Sequence, residues 1–236
     1  MRYAVVDCRI SENALAGLDR CGFFPILMPP SVLLDAPVAS HPDMLMFFGD
    51  AIFCHEEYEK TAKRELEQIS HLTGLGIVVS HEPTGKKYPS DILFNAARVG
   101  GNIFCRQGAV SELIVSYAGR ASLTLVPVRQ GYAECSVCHI SDSAIVTSDA
   151  GIAKAARGKG IRVLEISPGG IGLEGCRAGG FIGGASGLDR DRVYFCGDPA
   201  SHPEGDRIID FCRAEGKEPV ALSPDPLYDI GTMFFI

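Results

Sequence analysis

Four side chains suited to binding or attacking a cationic carbon stand at comparable places in this sequence, each at or near the start of a short apolar run. Three are the carboxylates of Asp43, Asp91 and Asp229, and the fourth is the thiol of Cys135. Carboxylates bind a guanidinium or an amine through charge-assisted, often bidentate hydrogen bonds. A thiolate adds to an electron-poor guanidinium carbon when a histidine or a cationic substrate lowers the pKa of the thiol. Glu134, beside Cys135, is a further candidate ligand carboxylate.

These aspartates also have a purely structural interpretation. An Asp ahead of a strand is a common turn residue whose side chain binds its own backbone. The sequence alone leaves both interpretations open.

Two histidines lie in loops close to the candidate carboxylates and thiol. His41 precedes Asp43 by two residues, and His81 lies in Ser80-His81-Glu82-Pro83, where Glu82 could orient it. Either is a candidate general base near neutral pH. The alternative is a solvated loop histidine.

No metal or cofactor site is predicted. Cys135 and Cys138 form a C-x-x-C, but no second ligand pair accompanies it, and in a predicted strand residues three apart face opposite sides. The glycine-rich stretches at 167–172 and 179–187 lack the spacing of a dinucleotide-binding fingerprint. Close backbone approach explains those glycines better.

Composition excludes several classes of partner. The 236 residues carry 22 basic and 29 acidic side chains, a net charge of −7, and no basic patch, so a nucleic-acid partner is not expected. No apolar run approaches the roughly 18–20 residues of a membrane helix. Nine cysteines without a signal-peptide core indicate thiols in a reducing compartment, so we expect a cytoplasmic protein.

A short apolar pattern ending in Cys or Thr recurs along the whole chain. It occurs at 4–8, 51–54, 102–105, 144–147 and 193–196, with steps of 42 to 51 residues, and the last step runs through the C-terminus back to Cys8. Five near-equal steps without a remainder predict a closed ring of repeats. The cysteines of this pattern, Cys54, Cys105 and Cys196, are predicted to be buried packing residues.

Each repeat predicts strand, strand, helix, strand. The helical stretches have apolar residues three and four apart, and prolines follow most third strands. The predicted first strands are 43–48, 91–94, 135–140, 180–182 and 232–236. Pairing of 232–236 with the N-terminal strand would complete the fifth repeat and leave no free edge. We expect a single domain over 1–236; the alternative is an ordinary three-layer α/β sheet of similar buried strands.

Five such units, closed by the termini, resemble the pentein or α/β-propeller fold. Gln130-Gly-Tyr-Ala-Glu134-Cys135-Ser and Gly180-Phe-Ile-Gly-Gly184-Ala-Ser-Gly187 are similar to an uncharacterised bacterial branch of that superfamily. The resemblance implies chemistry on guanidino groups, as in deiminases, amidinotransferases and dimethylarginine hydrolases. Such enzymes carry a nucleophilic Cys near the C-terminus, whereas this chain has no cysteine after Cys212.

In such a ring the first strands lie innermost, so Asp43, Asp91, Cys135 and Asp229 should converge on the axis. The first hypothesis is therefore a protein that binds or modifies a cationic small molecule, with Cys135 as nucleophile and His41 or His81 as base. The second is a non-catalytic ring that docks a macromolecular partner, which the missing C-terminal thiol favours. The oligomeric state is not predicted.

Overall fold

The computed structural model describes all 236 residues, and its 15 strands form five three-stranded sheets. The strands are β1 (Arg2–Asp7), β2 (Phe23–Met28), β3 (Met46–Phe48), β4 (Ile52–His55), β5 (Ile77–Ser80), β6 (Ala97–Val99), β7 (Asn102–Cys105), β8 (Thr124–Pro127), β9 (Cys138–Ser141), β10 (Ala144–Thr147), β11 (Arg162–Glu165), β12 (Ser186–Asp189), β13 (Arg192–Phe195), β14 (Glu218–Ala221) and β15 (Phe234–Phe235). The helices are α1 (Glu12–Arg20), α2 (Pro42–Leu45), α3 (Glu56–Thr61), α4 (Lys63–Thr73), α5 (Glu112–Arg120), α6 (Ala150–Arg157) and α7 (Gly205–Ala214), with 3-10 turns at Ala36–Val38 and Pro199–Ser201.

All five sheets share one topology. The strand with the repeated apolar pattern lies in the middle, antiparallel to one neighbour and parallel to the strand that follows it. Helical segments cross from each middle strand to its parallel neighbour: α1, α3 with α4, α5, α6 and α7. The predicted order of strand, strand, helix, strand is confirmed.

The crossover helices begin where the sequence offers capping side chains. Ser11, Ser111 and Asp149 each accept a hydrogen bond from a backbone N–H in the first turn of α1, α5 and α6. Each helix buries one apolar face, such as Ile208 and Cys212 of α7, against its own sheet.

The termini complete the fifth sheet. β15 runs antiparallel to β1, with Ala4 opposite Phe235 and Val5 opposite Phe234. Backbone hydrogen bonds of 2.8 and 2.9 Å join Tyr3 and Ile236 in both directions. The predicted closure is therefore confirmed.

Five hydrophobic clusters fill the spaces between neighbouring sheets, one for each interface of the ring. In one of them Cys138 and Ile140 meet Val193 and Phe195 of the next unit. Cys54, Cys105 and Cys196 are buried in such clusters, as predicted. The fold is a pentein-like α/β propeller and not a continuous three-layer sheet. None of its helices has both the length and the apolar character needed to cross a membrane.

The predicted inner strands begin two to six residues too early, and the stretches predicted at 91–94 and 180–182 end before β6 and β12 begin. A hydrogen-bonded turn precedes most of these strands: Met44 N donates to His41 O, Asn95 N to Ile92 O, Val137 N to Glu134 O, and Ser186 N to Gly183 O. These turns satisfy backbone groups that a strand would pair with its neighbour. The candidate site residues therefore stand on turns ahead of the strands, where strand alternation does not set their direction.

Candidate functional site

The turns ahead of the inner strands enclose a cavity of about 430 Å³, here called the central cavity. Its wall includes His41, Asp91, Tyr132, Cys135 and Asp229. The structure thus brings together two of the three predicted aspartates, the predicted thiol and one of the two predicted histidines.

Asp229 is held rigidly in the wall of the central cavity. Its Oδ2 accepts a hydrogen bond from Phe181 N at 2.8 Å, and its Oδ1 accepts one from Gly231 N at 3.0 Å. A Cβ atom at Gly184 would lie 2.0 Å from Asp229 Oδ1, so only glycine at position 184 lets the backbone come this close to the carboxylate. Burial and, secondarily, the charge of Asp43 raise the pKa of Asp229 to about 7.

His41 lies between two carboxylates without hydrogen bonding to either. Its Nε2 is 3.7 Å from Asp7 Oδ2 and its Nδ1 is 3.7 Å from Asp229 Oδ1, and neither nitrogen has a hydrogen-bond partner. Two carboxylates at this distance favour the protonated ring, but Asp7 is already paired with Arg9. Burial dominates, and together with the charge of Arg9 it lowers the pKa of His41 to about 3. His41 is therefore neutral at pH 7.

Arg9 connects this charge cluster to one wall of the cavity. Its Nε donates to Asp7 Oδ1 at 3.0 Å, while its terminal nitrogens donate to the carbonyls of Ala36 at 2.7 Å and Pro37 at 2.9 Å. The guanidinium thereby fixes the 36–38 turn, of which Pro37 and Val38 line the central cavity.

The Cys135 thiol is positioned by Asn95. Asn95 Nδ2 donates to Cys135 Sγ at 3.1 Å, and Asn95 Oδ1 accepts from Glu134 N at 2.8 Å. Burial raises the pKa of Cys135 well above its usual value, and the carboxylates of Asp43 and Asp229 raise it further. The thiol is therefore protonated at neutral pH in the unliganded protein.

Asp91 keeps one carboxylate oxygen free. Its Oδ2 accepts a hydrogen bond from the Tyr132 hydroxyl at 2.6 Å, whereas its Oδ1 is buried without a partner. Burial raises the pKa of Asp91, against the opposing effect of the Tyr132 hydrogen bond. Beside it, the rings of Tyr88, Tyr132 and Phe181 follow one another with centroids 5.4 and 6.0 Å apart.

Asp43 lies beside Cys135 and Asp229 but does not line the central cavity. Its carboxylate shares a hydrogen bond with the Cys135 thiol, and its Oδ2 accepts hydrogen bonds from Thr232 N at 3.0 Å and Thr232 Oγ1 at 3.1 Å. It lines a different cavity. Burial, opposed by the Thr232 hydrogen bonds, raises the pKa of Asp43 to about 6.

Glu134 and His81 also lie away from the central cavity. Glu134 Oε1 is 3.0 Å from His139 Nε2, in the same cavity as Asp43. The His81 side chain is 69% exposed and lies 3.0 Å from Glu56 Oε1. The prediction that Glu82 orients it is wrong, because Glu82 accepts hydrogen bonds from the Ser80 hydroxyl and Glu112 N instead.

Sequence reasoning missed several residues of the site, among them Asp7, Asn95 and Tyr132. Asn95 and Tyr132 lie within four residues of Asp91 and Cys135, so nearness to these two residues was a signal for them. Asp7 ends a buried strand, and none of the residues next to it in the sequence indicates that it lies beside His41. No group of three or more His, Cys, Asp or Glu side chains is arranged to hold a metal ion.

Three solved structures have folds similar to this one. An adduct of dimethylarginine dimethylaminohydrolase with 4-chloro-2-hydroxymethylpyridine gives a TM-score of 0.56 at 9% identity, covering 94% of this chain and 92% of that one. DDAH from Pseudomonas aeruginosa, a Cys-to-Ser mutant in complex with citrulline, gives 0.56 at 10% identity over 94% and 91%. SxtG, an amidinotransferase of the saxitoxin biosynthetic pathway from Microseira wollei, gives 0.52 at 12% identity over 94% and 88%.

At these identities the likeness establishes the pentein-like fold alone. None of the curated proteins matches the sequence. A family model matches residues 5–234, nearly the whole chain, and the protein therefore belongs to that family, described as the family of unknown function DUF6873.

Proposed function

We propose that this protein binds a small molecule bearing a guanidinium or amine group in the central cavity and that Cys135 attacks it there when the group is a guanidinium. The observation that carries the proposal is the free, buried Oδ1 of Asp91, which lines the same cavity as Cys135 and Asp229. An acceptor without a partner in a buried place is costly unless a donor arrives. A cationic group supplies that donor and a compensating charge.

The aromatic wall supports the same class of ligand. Tyr88, Tyr132 and Phe181 offer ring faces and edges next to Asp91, and a cation is attracted to such faces. Lys86 also lines this cavity, so the wall carries one cation together with its carboxylates.

The protonation states suggest how a ligand would activate the thiol. A cation favours the ionised forms of Asp229 and Cys135, whose pKa values burial raises. Two buried carboxylates are suited to take the thiol proton: Asp43, which shares a hydrogen bond with the thiol and has a pKa of about 6, and Asp229, which has a pKa of about 7. His41, with a pKa of about 3, is a weak base and takes no proton in this scheme.

The reaction that follows balances without a cofactor. The thiol proton passes to one of these two carboxylates, Cys135 Sγ bonds to the guanidinium carbon, and the C–N bond to the leaving amine breaks as that amine takes the proton. Water or a second amine then releases the carbon from sulfur. Binding without turnover is the second candidate, favoured by the deep burial of a protonated Cys135 thiol.

Thermal unfolding and product analysis test the proposal together. Arginine, agmatine and methylated guanidines should raise the Tm, and a ligand at a hundred times its Kd stabilises by about 2.7 kcal/mol. Simple anionic compounds should not. Asp91→Asn should abolish the shift, whereas Asp50→Asn, the same change at an exposed carboxylate paired with Arg120, should retain it.

Cys135→Ser separates the two candidates. Release of an amine or ammonia by the wild type, lost in Cys135→Ser with the thermal shift intact, supports catalysis. A thermal shift without any product supports binding alone. The proposal fails if no cationic compound raises the Tm or if Asp91→Asn leaves the shift unchanged.

A further inference from the structure

A second cavity lies along the inner strands. It has a volume of about 450 Å³ and is lined by residues of these strands and their neighbours, including Phe48, Arg98, Leu188 and Phe234. It shares no lining residue with the central cavity. We call it the distal cavity.

One wall of the distal cavity presents hydrogen-bond acceptors. The Glu134 side chain is 9% exposed and uses Oε1 to contact His139 Nε2, and its Oε2 makes no hydrogen bond within the chain. Asp43 is 1% exposed, its Oδ1 meets no N–H or O–H donor, and the remaining side-chain donor beside its carboxylate is the weak thiol of Cys135. Two carboxylate oxygens on this wall, Glu134 Oε2 and Asp43 Oδ1, therefore lack N–H or O–H donors.

The two carboxylates are near each other. The charge of Glu134 is among the influences that raise the pKa of Asp43, although burial is the larger one. Neither cation on the wall hydrogen-bonds the free oxygens: Arg98 Nη1 donates to the Tyr117 hydroxyl at 2.6 Å, and His139 contacts only Oε1 of Glu134. A ligand head group that only donates hydrogen bonds and carries positive charge would satisfy the free oxygens.

Much of the remaining lining is apolar and aromatic. The rings of Phe48 and Phe234 have centroids 4.9 Å apart at an interplanar angle of 58°, and Leu75, Leu188 and Ile236 lie around the same space. Such a wall takes an aromatic or aliphatic body, and ring faces attract a cation held nearby.

We propose that the distal cavity is a second binding site, for a primary amine with an aromatic body. The ammonium group binds Glu134 and Asp43, and the body packs against Phe48 and Phe234. This site is separate from the one assigned to the central cavity. Its ligand differs from the one proposed for the central cavity because it needs an apolar body as well as a cationic group.

Titration with phenethylamine, followed by the ring signals of isotope-labelled histidine and by calorimetry, tests this site. The His139 signal, identified by its loss in His139→Gln, should shift saturably. Phenylethanol and phenylacetate, which lack the cation, should shift it at least tenfold less at equal concentration. Equal shifts from phenylethanol would overturn the proposal, because the carboxylates would then have no part in recognition.

Matched variants separate the two cavities. Glu134→Gln should weaken phenethylamine binding at least tenfold, and Leu188→Trp, which fills the cavity from another repeat, should abolish it even if Glu134→Gln fails to fold. Asp91→Asn, in the central cavity, should leave phenethylamine binding unchanged. If Asp91→Asn weakens it while Leu188→Trp does not, the amine binds in the central cavity and the distal site is refuted.

Discussion

Replacing Asp229 with asparagine should change the pH dependence of stability by an amount that the structure fixes. In the folded protein the pKa of Asp229 is raised to about 7 from an ordinary value of 3.8. The folded state therefore binds the proton more tightly than the unfolded state does. The stability contributed by protonated Asp229 is fully present below about pH 3.8 and is lost as the pH rises through about 7.

The magnitude follows from about 1.36 kcal/mol for each pH unit over which the two states differ by one proton. Between pH 5 and pH 7 the loss amounts to about 2 kcal/mol, because the difference falls to half a proton at pH 7, and a few tenths more are lost by pH 8. The amide of Asp229→Asn cannot ionise, so the variant should gain about 2 kcal/mol relative to the wild type over this range. His41, whose lowered pKa gives a slope in pH of its own, is present in both proteins and largely cancels in the difference.

Urea unfolding of both proteins at pH 5, 6, 7 and 8 measures this difference. The amide side chain also disturbs the hydrogen bonds from Phe181 N and Gly231 N, but that cost does not depend on pH and leaves the slope intact. Asp50→Asn, at an exposed carboxylate, should give a constant difference over the same range. A constant difference for Asp229→Asn as well would refute the claim that burial raises the pKa of this carboxyl.

Three further changes test the fold and the thiols. Deleting residues 232–236 removes β15 from the sheet that it forms with β1 and β2, so the truncated protein should expose an apolar edge and elute as aggregates in size-exclusion chromatography. Gly184→Ala should lower the free energy of unfolding in urea by roughly 2–4 kcal/mol, because the new Cβ would meet a buried carboxylate at 2.0 Å. Gly119→Ala, in a helix with open space around the position, should leave the free energy of unfolding unchanged or raise it by up to about 1 kcal/mol. In brief alkylation followed by mass spectrometry, exposed Cys8 should react first and Cys135 slowly. Cys135 reacting as fast as Cys8 would contradict its burial.

The architecture could be predicted from the sequence because it depends on repetition. The apolar pattern ending at Cys54, Cys105 and Cys196 marks the middle strand of a sheet each time, and its spacing required the last strand to pair with the first. The regular spacing of the pattern and its continuous apolar character suffice for such a prediction, since every middle strand has apolar neighbours on both faces.

The direction of the site residues could not be predicted in the same way. Glu134 and Cys135 are adjacent in one turn, yet they line two different cavities. The helical turns ahead of the inner strands interrupt the two-residue alternation that would assign each side chain to a face. For the same reason the sequence does not show that Asp43 lines the second cavity and not the central one. A loop histidine followed by Glu82 likewise gives no sign that the partner of His81 is Glu56.

The most direct test of cation binding in the central cavity is the proton that the ligand displaces. Asp229 is about half protonated near pH 7, and a cation bound beside it should ionise it. Calorimetric titration with agmatine at pH 7, in buffers of different ionisation enthalpy, should show a net release of a fraction of a proton on binding, and this release should disappear in Asp229→Asn. Binding without proton release, or a release that persists in Asp229→Asn, would contradict the account.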